Sequence, residues 1–391
     1  MFANWDKIFA KVLAIGIFLL LLTILAWSTS GGYQEIPPSS PANTSTTKED
    51  LTKPSGIYCP PWKMPSGLWI NTTADQEPSS SISKTILKMP YDIMKCRDRF
   101  AAVYPLLYSG IWGFEKPFHL QWMSHSGCIL HPVDGALWLE TYRNKEILFF
   151  GDSLTQQVYI SFVCTLEATL ASSDANYQQP IRMADPDPHY VMTGISHGWY
   201  FPAHNITTTF FRSTSWTSRT DVASPLWAYA RKSSLWIASD GAWYNKHKNL
   251  NKPEFFDLET LPSDLYAFRH AISDFKYNGT FITRSYMPVH FDTDDNEWQG
   301  PVTDKTCIPP HETALLNPRY AMARDVFIDA GWPFVDVYQE VLPLWELHRP
   351  PSDCRHWMHP GVSEWVFQAL HHSMVEAGIF DKGVSESSLD G

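Results

Sequence analysis

The stretch Glu146-Ile-Leu-Phe-Phe-Gly151-Asp152-Ser153-Leu-Thr-Gln156 decides how the fold is read. Ile147 to Phe150 is a short apolar run, and Leu154, Val158 and Phe162 then recur at helical spacing, which predicts a strand, a tight turn and a helix. The same alternation continues outward. Leu235 to Ala238 and Phe281 to Thr283 read as buried strands, with Leu265, Phe268, Ile272 and Phe275 marking one face of the helix between them. A further helix is fully punctuated: Asn317 caps it, Pro318 suits its first turn, Tyr320, Ala323 and Phe327 form its stripe, and Gly331 stops it. Phe334 to Val337 then reads as a strand and 363–377 as the last helix. The pattern predicts an α/β fold, a parallel sheet with helices on both faces and its active site at the carboxyl ends of the strands.

Ser153 falls where a strand ends and a helix begins, so unpaired first-turn amides point toward any oxyanion formed beside it. A serine hydroxyl needs an imidazole to take its proton, and the imidazole needs a carboxylate to fix its tautomer. Asp353 and His356, three positions apart, fit neighbouring points of a single turn. Asp353 then accepts from Nδ1 while Nε2 faces Ser153. Taken alone, Gly-Asp-Ser is also ordinary helix-capping chemistry. Combined with Asp-x-x-His at the far end of the alternation, it predicts acyl transfer.

Of the 391 residues, 44% are hydrophobic and 18% charged, enough apolar material for one large domain. A net charge of -11 without a basic stripe excludes nucleic-acid binding. Val12 to Trp27 is apolar or nearly so, with Lys7 and Lys11 before it, which predicts a type II membrane anchor; a cleaved signal peptide and secretion are the alternative. The expected organisation is a cytoplasmic tail (1–7), a transmembrane signal anchor (8–27), a Ser/Thr/Pro-rich flexible stem (28–56) and a lumenal catalytic domain (57–391). That domain divides into a loop-rich, disulfide-tied lobe (57–142) and the α/β core (143–391). Sequons at Asn43, Asn71, Asn205 and Asn278 predict glycosylation. Cys59, Cys96, Cys128, Cys164, Cys307 and Cys354 contain no C-x-x-C pair, so disulfides are expected rather than zinc, with all 15 pairings open.

Ordered blocks from about residue 57 to the end resemble the PC-esterase group of SGNH/GDSL-type hydrolase folds, and within it the trichome birefringence-like polysaccharide O-acetyltransferases. The blocks are Gly67-Leu-Trp69 after Cys59; Phe150-Gly-Asp-Ser153-Leu with Cys164; Gly241-Ala-Trp243-Tyr-Asn245; Arg284-Ser-Tyr-Met-Pro288-Val-His290-Phe291 with Trp298 and Cys307; and Asp353-Cys354-Arg-His356-Trp357 with Pro360-Gly361. The resemblance implies a Ser153, His356, Asp353 triad, a Golgi membrane location, and passage of an acetyl group through an acyl-serine to a sugar hydroxyl. Two positions depart from the pattern: Met358 replaces a usual second cysteine and Ala242 a usual histidine.

Oxyanion donors are expected from the amides of Ser153 and Gly241 and from the Asn245 side chain. Trp243, Trp298 and Trp357, within the chemical blocks, are expected to face sugar rings, and Arg284 and His290 to bind substrate or donor. His371-His372 reads as a surface or capping pair, and the acidic run Asp292 to Glu297 as a solvated turn, so no metal is expected. No bound cofactor is expected either; acetyl-CoA or another acetyl carrier is the co-substrate and a glycan the acceptor. An acetyl esterase using the same triad, and a non-catalytic glycan-binding protein on this scaffold, are the competing readings. Protein partners are not legible.

Overall fold

A computed structural model describes residues 57–71, 85–86, 96, 120–170, 179–182, 196–216, 224–246, 256–299, 306–349, 353–359 and 361–381. The expected membrane segment, the stem and Asn43 lie outside these residues. Among the described residues no helix is long and apolar enough to cross a membrane.

Within 57–142, expected to be loop-rich, the described residues form β1 (Gly67–Asn71), β2 (Thr85–Ile86) and β3 (Leu120–Ser124), an antiparallel sheet ordered β1-β3-β2, and then helix α1 (Gly135–Thr141). The core begins with β4 (Glu146–Gly151) and α2 (Ser153–Thr169). It continues through β5 (Gln179–Arg182), β6 (His197–Phe201), β7 (Ile206–Arg212), α3 (Pro225–Lys232) and β8 (Ser233–Ser239). After the short pair β9 (Tyr244–Asn245) and β10 (Phe256–Asp257) come α4 (Leu261–Phe275), β11 (Thr280–Arg284), α5 (Pro318–Asp329) and β12 (Phe334–Val335). The chain ends with α6 (Tyr338–Val341), β13 (His348–Arg349), β14 (Asp353–Trp357) and α7 (Val362–Glu376).

Seven strands form the main sheet in the order β12-β11-β8-β4-β7-β6-β5. β4, β7, β8, β11 and β12 pair in parallel, whereas β6 is reversed and pairs antiparallel with both β7 and the edge strand β5, a departure from the all-parallel expectation. The cause is local. Only residues 202–205, with Asn205 at φ +52°, separate β6 from β7, and so tight a connection joins antiparallel strands.

β4 is buried on both faces, which its unbroken apolar run foretold. Consecutive strand residues point to opposite sides: Phe149 meets Tyr159 and Phe162 of α2 at 5.2 and 5.1 Å between ring centroids, while Phe150 stacks on Phe268 of α4 at 5.3 Å. α1 and α7 join α2 on its face through Trp138 and Phe367, both against Phe162. Burial of each such ring contributes about 1.5–3 kcal/mol. Because β4 lies between β7 and β8, the chain leaves it in one direction and later returns on its other side. The crevice at its carboxyl end is therefore the switch point where α/β sheets bind ligands.

All six cysteines pair, as Cys59–Cys128, Cys96–Cys164 and Cys307–Cys354. The second ties Cys96 to α2, and the third fastens β14 to the segment after β11.

Candidate active site

At the end of β4 the chain must turn within one residue while passing close to β8. Gly151 has φ +148°, and a Cβ there would lie 1.8 Å from the Ser239 carbonyl oxygen, so only glycine fits. Asp152 then caps α2. Its Oδ1 accepts from the amides of Leu154 (2.9 Å) and Thr155 (3.3 Å), and its Oδ2 accepts from Ala242 N at 2.9 Å, tying the turn to the loop after β8. Asp152 thus serves the capping role that Gly-Asp-Ser suggests, and Ser153 is left as the first helical residue.

Ser153 Oγ lies 2.7 Å from His356 Nε2, and His356 Nδ1 lies 2.8 Å from Asp353 Oδ2 and 3.0 Å from Oδ1. Ser153 is 9% exposed, while the His356 and Asp353 side chains are each 27% exposed, so the line is open from the imidazole side. Asp353 and His356 do not sit on a helical turn. They belong to β14, whose pairing with β13 jumps from His348↔Trp357 to Arg349↔Asp353, so the intervening residues bow outward. The bow is closed by Asp353 Oδ1, which accepts from Arg355 N at 3.4 Å and His356 N at 3.1 Å. Burial raises the Asp353 pKa, but the His356 charge, two kinds of hydrogen bond from His356 and the Arg349 charge outweigh it. The carboxyl is held below the usual carboxylate range.

Gln157, one turn after Ser153, escaped the sequence reading. Its Nε2 donates to Trp357 O at 2.7 Å and its Oε1 accepts from Trp357 N at 3.1 Å, a two-point clamp between α2 and β14. An amide four residues after Ser153, on the same face of the helix, was the available signal.

Of the oxyanion candidates, the Ser153 amide has no acceptor among the described residues, since a first-turn amide lacks an intrahelical partner. Gly241 N instead donates to Asp240 Oδ1 at 2.6 Å, and Asn245 Nδ2 to Trp298 O at 2.8 Å, so both donors are engaged. Asp240 is buried; burial first, and then the Asp152 charge, pushes its carboxyl well above the usual range.

The expected substrate residues separate into two groups. Trp243 and Trp298 are partly buried, and the Arg355 guanidinium lies 5.6 Å from the Trp243 ring centroid. Trp357, Arg284 and His290 are instead buried behind the site. Trp357 stacks on His348 at 3.8 Å; His290 Nδ1 meets His348 Nε2 at 2.6 Å, and its Nε2 donates to Leu342 O at 2.7 Å. Burial lowers the His290 pKa to about 4. Arg284 donates to Ser285 O at 2.9 Å and Thr155 Oγ1 at 3.0 Å, beneath the first turn of α2. These three side chains make their contacts with backbone and side chains behind the site.

Asp292 and Asp294 of the acidic run are exposed in a turn, as expected, while its far end is anchored: Glu297 pairs with buried Arg319, and Asp295 with Lys246. One further expectation is corrected. His371 and His372 are buried, the former accepting from Trp138 Nε1 at 3.0 Å, because α7 is enclosed on nearly every side from Val362 to Met374. Asn205 and Asn278 are exposed, whereas the Asn71 side chain lies outside the described residues.

Comparison with known proteins agrees with the blocks named above. Residues 130–320 match the family model "PC-Esterase: GDSL/SGNH-like Acyl-Esterase family found in Pmr5 and Cas1p", a span that includes Ser153 and Gly241 and ends before Asp353. The chain is 22% identical over 305 residues to Protein trichome birefringence-like 9 of Arabidopsis thaliana, covering 65% of this chain and 71% of that protein. Over 60 residues it is 35% identical to Probable xylan O-acetyltransferase 10 of Oryza sativa subsp. japonica, covering 15% and 13%. It spans about half the length of several other trichome birefringence-like relatives. Among solved structures, a peptidoglycan O-acetylesterase aligns with TM-score 0.35 and 10% identity over 64% of this chain and 98% of that one. Residues 130–320 thus match the PC-esterase family, and the chain is similar to the trichome birefringence-like proteins.

Proposed function

We propose that this protein is a glycan O-acetyltransferase working through an acetyl-serine on Ser153. The observation that carries the reading is the continuous hydrogen-bonded line Ser153–His356–Asp353 at the switch point of the sheet. In the first half-reaction His356 Nε2 takes the Ser153 proton as Oγ bonds to the donor's acetyl carbon. The Ser153 amide faces the oxyanion, and His356 returns the proton to the departing group of an acetyl carrier such as acetyl-CoA. In the second, a sugar hydroxyl loses its proton to His356 and attacks the acetyl-serine carbonyl; the Ser153 Oγ–carbon bond breaks and Oγ recovers the proton. Asp353, ionised throughout, holds Nδ1–H and stabilises the imidazolium.

The relative named for xylan supports a polysaccharide acceptor. Lumenal orientation behind a Golgi membrane anchor at 8–27, with glycosylation at the sequons, completes the proposal. Three disulfides and exposure of Asn205 and Asn278 support it. A deacetylating esterase is the second reading, favoured by the 27% exposure of His356, which lets water approach as acceptor.

The test incubates the full chain with acetyl-CoA or p-nitrophenyl acetate and a panel of oligosaccharides including xylan fragments, beside Ser153→Ala. Transfer is expected from the wild type and a loss of about 10⁴-fold or more in the variant. Acetate release indifferent to added glycan supports the esterase; equal rates from both proteins defeat both readings.

A further inference from the structure

The histidine pair on the last helix has a partner that linear spacing concealed. His372 and Glu376, four positions apart, lie on one face of α7, and the loop before α1 brings His131 against them. One ring nitrogen of each histidine and one Glu376 carboxylate oxygen all lie within 4.8 Å of one another. His131 Nε2 meets Glu376 Oε1 at 2.6 Å, and the Tyr58 ring stacks on His131 at 3.6 Å. His372 is buried. Its Nε2–H donates to Cys59 O at 2.9 Å, which places the lone pair on Nδ1, where the His131 amide now donates at 3.2 Å.

We propose that His131, His372 and Glu376 form a structural Zn²⁺ site that staples the Cys59–His131 region to α7. Two imidazoles and one carboxylate suit zinc, whereas calcium and magnesium favour sets made wholly of oxygen. Zn–N and Zn–O bonds of about 2.0–2.2 Å place tetrahedral ligand atoms roughly 3.4 Å apart, so the His131–Glu376 pair opens slightly from 2.6 Å while the His372 nitrogen, within 4.8 Å, closes in by small side-chain adjustments. The His372 bond to Cys59 O is the outer contact that fixes the tautomer and orientation of a zinc-bound histidine. The cation displaces the His131 N–H from Nδ1. Side-chain exposure of 18% at His131 and 29% at Glu376 leaves a water-accessible fourth position. His372 lies roughly 16 Å along α7 from the Gly361 end, which neighbours β14, so the role is structural and independent of acyl transfer.

Chelator-stripped full chain is titrated with ZnCl₂, reading bound zinc after dialysis and the thermal midpoint. His131→Ala and Glu376→Gln are compared with His270→Ala, a change at an exposed helix histidine. One zinc per chain and a raised midpoint are expected in the wild type and in His270→Ala. Affinity falls in the other two by at least the roughly 10–100-fold that loss of an outer contact alone costs. Calcium gives no shift. Zinc uptake equal in all four proteins, or no saturable uptake at micromolar zinc, overturns the proposal. So does a midpoint lowered by Glu376→Gln with no zinc response in the wild type, since that marks His131–Glu376 as an ion pair alone.

Discussion

The two halves of the candidate site reach the same point in space by opposite means. Ser153 is held by regular structure: a central strand paired on both sides, a glycine turn against Ser239, and a capped helix. Asp353 and His356 are held by a five-residue strap with one short partner strand. That strap is fixed by the Cys307–Cys354 disulfide, by His290 N donating to Cys354 O at 2.9 Å, and by Met358 N donating to Leu347 O at 2.9 Å. Position is built into the sheet on one side and imposed by cross-links on the other. The turn should therefore fail globally when disturbed, and the strap locally.

The sharpest test of the turn is Gly151→Ala. With Cβ facing Ser239 O at 1.8 Å, β4 and β8 must part at their carboxyl ends. The expected loss is more than about 4 kcal/mol, with little folded protein recovered. Normal urea unfolding of this variant would break the comparison. On the strap side, replacing both Cys307 and Cys354 by Ser releases a loop with a sequence separation of 47. The chain-entropy estimate is a loss of about 4 kcal/mol, native-state effects making 2–4 the expected range. Circular dichroism should show the sheet retained at moderate temperature while acyl transfer falls further than the folded fraction does. Equal falls would mean that the strap is no more local than the turn.

Gln157 joins the halves and gives the third test. Gln157→Ala removes both bonds to Trp357 and leaves its buried N–H and C=O unpaired, costing about 1–3 kcal/mol. His356 should lose its fixed approach to Ser153, so kcat is expected to fall about 10–100-fold with little change in KM. Unchanged kcat would show that the disulfide alone positions the imidazole.

The sequence disclosed the turn side more fully than the strap. β4, α2, α4 and α5 announce themselves because each is long, locally periodic and punctuated: Asn317 caps α5 as expected, its Oδ1 accepting from Arg319 N at 2.9 Å. β7 escaped because Thr207 to Thr209 looks polar although its β-branched side chains suit a strand, and Thr208 is fully buried. Asp353 and His356 were found by spacing, but their bulged strand was not, since a bulge is set by β13 and Cys307 from elsewhere in the chain. Trp357, Arg284 and His290 were expected to meet substrate or donor, and their burial was not legible because residue type alone does not separate an exposed ring or charge from one packed behind a site. His372 met Glu376 through helix geometry but His131 only through the fold.

The last test uses pH and probes the carboxyl beside the turn. Asp240 is buried with its pKa pushed well above the usual range, by desolvation first and by the Asp152 charge next, and its Oδ2 has no hydrogen-bond partner among the described residues. In the unfolded chain it ionises near about 3.9. The folded state therefore binds the proton more tightly. Its contribution to stability is complete below the unfolded value and is lost as pH rises through the raised folded value. Asp240→Asn keeps an oxygen for Gly241 N but does not titrate. At pH 4 the two proteins should differ by less than about 1 kcal/mol, close to a neutral substitution. Above that, the wild type should decline by up to about 1.4 kcal/mol per pH unit relative to the variant until Asp240 ionises in the fold. Urea unfolding across pH 4 to 8 measures that difference. Parallel curves would mean that Asp240 is ionised in the native state, placing two carboxylates at the turn. Ser153 would then rest on a balance of charge as fragile as the cross-linked strap, and the contrast between the two halves would fail.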